Sequence, residues 1–446
     1  MSHAVAAGSR AGALRAAPRA HSRLVMLEHD GPAGPLGSLQ AALGFSAAAP
    51  DAALKAELDR AVAADPGGLG KTAFAVLDLT TPGAARYAGH RATIPFYPAS
   101  IGKVAIMFAA FQLRHDLMAL ARREGITDFD ALADRAATYW AAAQQPDPAV
   151  PKTVLRASKP ELAAHEQLLL IDGKPARIYH YDRVRLERIF DKSAGIAPLR
   201  FKSDGLGFHQ LYYIEYPAER RDLDAKLGRP VVPTTDVSKL GFADRLALTV
   251  GFSNNYGPRA LVADLGFALV TSPLLRSGLF DPEHGGLWLG NAYEKGKTFR
   301  GAPVGGGATT ATALSLVTLM AALFREVVFD PAACAEARRL LHKGPGIPIG
   351  VDFDADPAAW AGADAGAGTT SFVLQALRGM PGAGALKVHS KLGIYKGTCD
   401  VAHVEHRLAS GRTLRYAVAI LDVPDGQHAR LGAAARAVDE AVRAVN

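Results

Sequence analysis

Residues 97–103 read Tyr97-Pro98-Ala99-Ser100-Ile101-Gly102-Lys103 and open a strongly apolar stretch that continues through Val104, Met107, Phe108 and Phe111. The apolar spacing predicts a helix, and a separation of three residues places Ser100 and Lys103 on one helical face, one turn apart. A serine hydroxyl is a poor nucleophile until a base takes its proton. A lysine can be that base once burial or neighbouring cations bring its pKa down from about 10.4. The start of the helix also presents free N–H groups to any oxyanion that forms. Alone, the S-x-x-K spacing is weak, because a capping serine beside a surface lysine produces it equally well.

Two later segments change its weight. Phe252-Ser253-Asn254-Asn255 follows a helix-like stretch at 245–250. Ser390-Lys391-Leu392-Gly393 lies on the first of three consecutive C-terminal strands, with Gly397-Thr398 and Asp400-Val401-Ala402 behind it. S-x-x-K, then S-x-N, then K-x-G on a late strand resembles the signature order of class A β-lactamases and penicillin-binding proteins. The resemblance covers roughly 45–126 and 239–446. It implies an α+β, β-lactamase-like fold and a serine acyl-transfer hydrolase.

Under that resemblance Ser100 is the residue acylated, and Lys103 acts as, or relays to, the general base. Ser253 passes a proton to the leaving nitrogen, and Asn255 holds Lys103 or the substrate amide. Lys391 sets the field around Ser253 and attracts a substrate carboxylate. The backbone N–H groups of Ser100 and Ile394 form the oxyanion hole, and Asn254 and Gly393 line the substrate side. Each role needs a donor or base aimed at charge that develops in a tetrahedral intermediate.

The departures from the pattern are specific. Leu392 stands where the family carries a hydroxyl that helps bind a carboxylate, and Leu has no donor. Asn254 replaces the usual Asp. No E-x-x-L-N run is present to position hydrolytic water, so Glu283, in Phe280-Asp281-Pro282-Glu283-His284, is the stand-in, with a capping or turn role as its alternative. The chain between Ser100 and Ser253 is far longer than a compact member of the resembled family needs, which implies that 127–238 is an insertion.

The frame around the motifs agrees with this assignment. Asp51 is a helix cap followed by Leu54, Leu58 and Val62 at helical spacing. Residues 72–79 read as a buried strand, with a second at 86–91 after Pro82-Gly83. At the other end, 386–391, 401–408 and 414–423 read as strands, and 429–445 as a closing amphipathic helix. Strands at both termini predict one antiparallel sheet built from the two chain ends, flanked by terminal helices, beside a mostly helical middle. A domain at 50–446 follows, interrupted by the insertion. Residues 1–49, rich in Ala, Gly, Pro and Arg, are expected to form a poorly ordered leader.

Composition narrows the function. The net charge of +7 arises from 50 basic against 43 acidic residues, an excess too thin and too dispersed for nucleic-acid binding. The nearest approach is Tyr179-His180-Tyr181 with Arg183, Arg185 and Arg188, which reads as a solvated helical face. Cys334 and Cys399 read as buried thiols and make no disulfide framework or metal pattern. No uninterrupted apolar run of about 18 residues predicts a membrane span. Arg10, Arg15, Arg19 and Arg23 break up any signal peptide, although the family resemblance implies a periplasmic or secreted protein.

Three decoys are set aside. Asp65-Pro66-Gly67-Gly68-Leu69-Gly70-Lys71-Thr72 approaches a P-loop, but helix precedes and strand follows, the inverse of what phosphate binding needs. Asp352, Asp354 and Asp356 lack the Gly and Glu of a calcium loop. His403 and Glu405 are too few ligands for zinc. No metal or cofactor is expected. The functions carried forward are a β-lactamase-like hydrolase with a β-lactam or peptidoglycan-like substrate, a D,D-peptidase or esterase-like relative, and a pseudoenzyme that binds such ligands or a protein partner.

Overall fold

The stretch Ala73–Asp78 is buried on both faces. Ala73, Ala75 and Leu77 enter one apolar core, whereas Phe74 and Val76 enter another, as the two-residue period of a strand requires. A computed structural model describes residues 38–143, 153–154, 166–171, 174–179, 183–215, 217–228, 230, 236–281, 284–290, 309–343, 371–378, 380, 383–395 and 397–446.

The main sheet contains β1 (Ala73–Asp78), β2 (Arg86–His90), β3 (His342–Lys343), β4 (Ala383–Ile394), β5 (Thr398–Leu408) and β6 (Thr413–Val423). Its spatial order is β3-β4-β5-β6-β1-β2, and each pairing is antiparallel. The N-terminal strands therefore close onto β6, and the sheet is built from both chain ends. β4 and β5 extend beyond the expected 386–391 and 401–408.

The helices that bear on the sheet and the site are α1 (Ala52–Ala64), α2 (Lys103–Glu124), α3 (Phe208–Glu215), α4 (Phe242–Val250), α5 (Gly257–Leu265), α6 (Ala313–Phe324), α7 (Pro331–Leu341), α8 (Phe372–Arg378) and α9 (His428–Val445). Asp51 caps α1 by accepting the Leu54 N–H at 2.8 Å. Leu54 and Leu58 of α1, Val373 of α8, and Leu431, Val438 and Val442 of α9 cover one sheet face. Asp439 ties α9 to the sheet, accepting from Tyr416 and pairing with His406 Nδ1, both at 2.8 Å. On the opposite face α2 and α6 share a core with the odd-numbered residues of β1. Thr312 starts α6 with a reciprocal hydrogen-bonded cap to Ser315.

α2 is almost wholly buried through Leu120 and Ala121. The segment Ala99–Glu124 is long and apolar enough to cross a membrane by composition, but it forms the centre of this core.

One expectation changes. Residues 38–49 were expected within the poorly ordered leader. Instead Leu39 and Leu43 are buried, and the Leu39 N–H donates to the Ser277 carbonyl at 3.0 Å. Ordering follows because these leucines have an apolar core to reach. The described parts of 127–238, read from sequence as an insertion, contribute to the core. Phe129, Leu132, Leu186, Ile189, Phe190, Phe201 and Leu211 lie in the same core as α2. Phe201 is the centre of an aromatic cluster, 5.4 Å from both Phe111 and Phe190 and 5.3 Å from Phe242, centroid to centroid.

The basic run of this segment is held by ion pairs and burial. Arg183 contacts Asp130 at 2.6 Å, Arg188 contacts Asp264 at 3.1 Å, and Arg185 is buried. The P-loop-like sequence turns its own carboxylate inward: Asp65 accepts the N–H groups of Gly68 and Leu69 at 2.9 and 3.1 Å.

Candidate active site

A 3-10 turn, Ala99–Gly102, leads into α2 and carries Ser100 at its second position. Ala99 has φ +47°, a left-handed conformation that a non-glycine residue seldom adopts and that often marks a constrained site. Lys103 is fully buried. Its Nζ lies 3.1 Å from Ser100 Oγ, 2.6 Å from the Ser253 carbonyl and 2.7 Å from Asn255 Oδ1.

The Ser253 carbonyl and Asn255 Oδ1 can only accept. A neutral Lys103 amine therefore gives its two hydrogens to them and keeps a lone pair for the Ser100 hydroxyl. Burial lowers the Lys103 pKa to about 7, opposed by the negative charge of Glu215. The neutral form is thus present in quantity near neutral pH.

The S-x-N segment follows α4. Ser253 has φ +63°, so a second left-handed non-glycine residue stands in the site. This conformation lets one residue serve two lysines: its carbonyl meets Lys103, and its Oγ accepts from Lys391 Nζ at 2.7 Å. Lys391 is fully buried and also donates to the Leu392 carbonyl at 2.9 Å.

Strand alternation explains its direction. Lys391 pairs in register with Val401, a residue of the core shared with α2. The adjacent Ser390 instead donates to Asp400 Oδ1 at 2.6 Å, with Ser371 on the other carboxylate oxygen at 2.8 Å.

Gly393 has a steric cause. A Cβ there would stand 2.4 Å from the Pro98 carbonyl, 2.8 Å from Cys399 Sγ and 3.2 Å from the Ile101 nitrogen. β4 and the Ser100 turn thus approach more closely than any side chain permits, bringing Ile394 alongside that turn. Cys399 donates to the Pro98 carbonyl at 3.2 Å. Burial and the nearby Asp400 charge push its thiol up to about 12, so it packs as an inert thiol. Cys334 is also buried. Leu392 is buried, while Ile394, Tyr395 and Tyr97 are exposed. The Tyr97 and Tyr395 rings meet edge-on at 5.6 Å.

Asn254 departs from its expected place among the substrate-binding residues. It is buried, and its Oδ1 accepts the Tyr256 and Gly257 N–H groups at 2.8 and 2.9 Å, supporting the start of α5. Its Nδ2 donates to Glu215 Oε2. Both ends of the carboxamide are therefore engaged inside the protein. Glu283 lies outside the described residues.

Glu215, at the end of α3, was missed from sequence. Its signal was faint: an acid four residues after Leu211, which is buried, stands on the apolar side of a helical pattern. Among the described residues no group of three or more His, Cys, Asp or Glu is arranged to hold a metal ion.

No family model matches the chain, and no curated protein matches it. Among solved structures it is similar to a class A β-lactamase described as the last common ancestor of Gram-negative bacteria. Identity is 16%, with a TM-score of 0.41 over 89% of this chain and 100% of that one. A β-lactamase from Sphaerobacter thermophilus DSM 20745 is 14% identical, with a TM-score of 0.39 over 88% and 95% of the two chains. A representative of class A β-lactamase from Bacteroides cellulosilyticus DSM 14838 is 11% identical, with a TM-score of 0.42 over 88% and 98%.

Proposed function

We propose that the chain is a serine acyl-transfer hydrolase of the β-lactamase and penicillin-binding type, a β-lactamase-like domain at 50–446 that incorporates the 127–238 segment. The observation that carries the reading is the contact set of Lys103 Nζ with Ser100 Oγ, the Ser253 carbonyl and Asn255 Oδ1.

Neutral Lys103 takes the Ser100 proton as Oγ attacks a substrate carbonyl carbon. The oxyanion lies between the N–H groups of Ser100 and Ile394. As the tetrahedral intermediate collapses, the bond to the leaving nitrogen breaks and that nitrogen receives a proton from the Ser253 hydroxyl. Lys391 already occupies an acceptor site on Ser253 Oγ, which leaves that hydroxyl hydrogen free to be given. The protonated Lys103 amine replaces the proton. Water then cleaves the ester, releasing a carboxylic acid and restoring Ser100.

A second reading, an esterase-like relative, is favoured by Leu392 in the K-x-G position and the exposed Tyr97–Tyr395 pair beside the Ser100 turn. These features suit an apolar or aromatic acyl group better than a carboxylate. Mass spectrometry during incubation with a penicillin and with a fluorophosphonate tests both readings. An adduct on Ser100 that forms and is released from penicillin supports the β-lactamase type. A persistent penicillin adduct together with fast turnover of aryl esters supports the second. Absence of any adduct leaves a ligand-binding pseudoenzyme.

A further inference from the structure

The change from Asp to Asn at position 254 and the carboxylate of Glu215 explain each other. Two backbone N–H groups, from Tyr256 and Gly257, converge on one end of the Asn254 side chain. An N–H can only donate, so that end is the oxygen and the opposite end is the NH₂ group. The NH₂ faces Glu215 Oε2. An aspartate would satisfy the two backbone donors equally well, but it would confront Glu215 with a second carboxylate. Asparagine is the side chain of that size that accepts on one side and donates on the other.

The pair adjoins the two residues that hold Lys103. Asn254 is flanked by Ser253, whose carbonyl accepts from Lys103, and by Asn255, whose Oδ1 does the same. α3, which carries Glu215, is seated over this loop by Tyr212, whose ring lies 6.3 Å from Phe252. Among the described residues the charged groups facing the loop are Glu215 from α3, Lys103 from α2 and Lys391 from β4, the last through Ser253 Oγ. Burial raises the Glu215 carboxyl, while the Asn254 hydrogen bond and the Lys103 charge oppose that rise.

We propose that Glu215, supplied by the 127–238 segment and held by Asn254, is a positioning residue of this site, whose charge governs when Lys103 gives up its proton. The inference rests on the proposed role of Lys103 in acylating Ser100. It makes the long segment between the first two motifs part of the catalytic apparatus. The sign is fixed by Coulomb attraction: a carboxylate beside Lys103 favours the ammonium, so its removal releases the proton at lower pH.

The test is an NMR titration of Lys103 in the full-length protein with ¹³C-labelled lysine, run beside the pH profile of Ser100 labelling by a fluorophosphonate. Glu215→Gln is expected to move the Lys103 midpoint down by about 1 pH unit or more, and the acidic limb of labelling with it. Asn254→Asp should lose thermal stability. The double variant Glu215→Gln/Asn254→Asp, in which donor and acceptor exchange places, should regain it. A Lys103 midpoint unmoved by Glu215→Gln in a folded variant overturns the inference, as does a double variant no more stable than Asn254→Asp. A midpoint that moves while Ser100 is never labelled in the wild type upholds the coupling and defeats the hydrolase reading instead.

Discussion

Lys391 Nζ and Ser253 Oγ lie 2.7 Å apart, although they come from a strand near the C-terminus and a turn in the middle of the helical layer. The contact joins the second motif to the third within the buried part of the site. Through the Ser253 carbonyl the same residue reaches Lys103, so both lysines are organised around one left-handed serine.

Lys391→Ala is expected to slow acylation of Ser100 by roughly a hundredfold, the scale of removing one preorganised electrostatic contact. Second-order labelling rates for wild type and variant, with circular dichroism to confirm folding, check this. Wild-type rates would reduce the K-x-G sequence to coincidence.

The Lys103 pKa of about 7, lowered by burial, predicts the pH dependence of acylation. The reactive form is the neutral amine, which is populated above that pKa and lost below it. Labelling of Ser100 should therefore rise as pH increases through about 7 and then level off. A rate flat between pH 6 and 8 would remove Lys103 as the base.

Gly393→Ala should both destabilise the fold and depress acylation. The added carbon would meet the Pro98 carbonyl at 2.4 Å, and relief requires β4 to retreat from the Ser100 turn. Overpacking of this kind costs about 1–3 kcal/mol, readable by urea denaturation. Gly67→Ala is the control, because nothing lies within 4 Å of a Cβ there.

Acid sensitivity is predicted from a row of histidines. His342, His389 and His403 pair in register across β3, β4 and β5. Phe324 of α6 stacks on His403 at 3.5 Å and lies 4.8 Å from His389. Burial lowers the His389 pKa to about 2, reinforced by His342, His403, Lys387 and Arg338. His403 is held well below its usual value by burial, then by Arg338, Arg415, Lys387 and Arg325.

The folded state thus refuses protons that the unfolded chain accepts below about pH 6.5. Stability is full above that pH and is lost as pH falls, by about 1.4 kcal/mol per pH unit for each imidazole. Urea midpoints between pH 7 and 5 should fall accordingly, and the double variant His389→Leu/His403→Leu should flatten the slope. An equal slope in that variant would assign the acid sensitivity elsewhere.

These elements differ in how far they could be read from sequence. The adjacency of Ser100 and Lys103 was legible because both lie within one helical turn, and β1 because its sequence is a short apolar run. The strand bearing Lys391 was legible from its apolar pattern, and Asn255 from its spacing after Ser253. Glu215 was not, since its partner Asn254 is far along the chain and only tertiary packing brings them together. The inward turn of Asn254 was hidden for the same reason: its role depends on which donors converge on it. Residues 38–49 misled because Ala and Gly dominate the leader, while the two leucines that anchor it reach a core assembled from distant segments.

The central claim is that Ser100 is the nucleophile, and intact-mass and peptide mapping of wild type and Ser100→Ala after exposure to a fluorophosphonate and a labelled penicillin tests it most directly. The account predicts one adduct per chain, mapped to Ser100, and none in a Ser100→Ala protein that remains folded. An adduct that survives in Ser100→Ala, or that maps to Ser253, would contradict it.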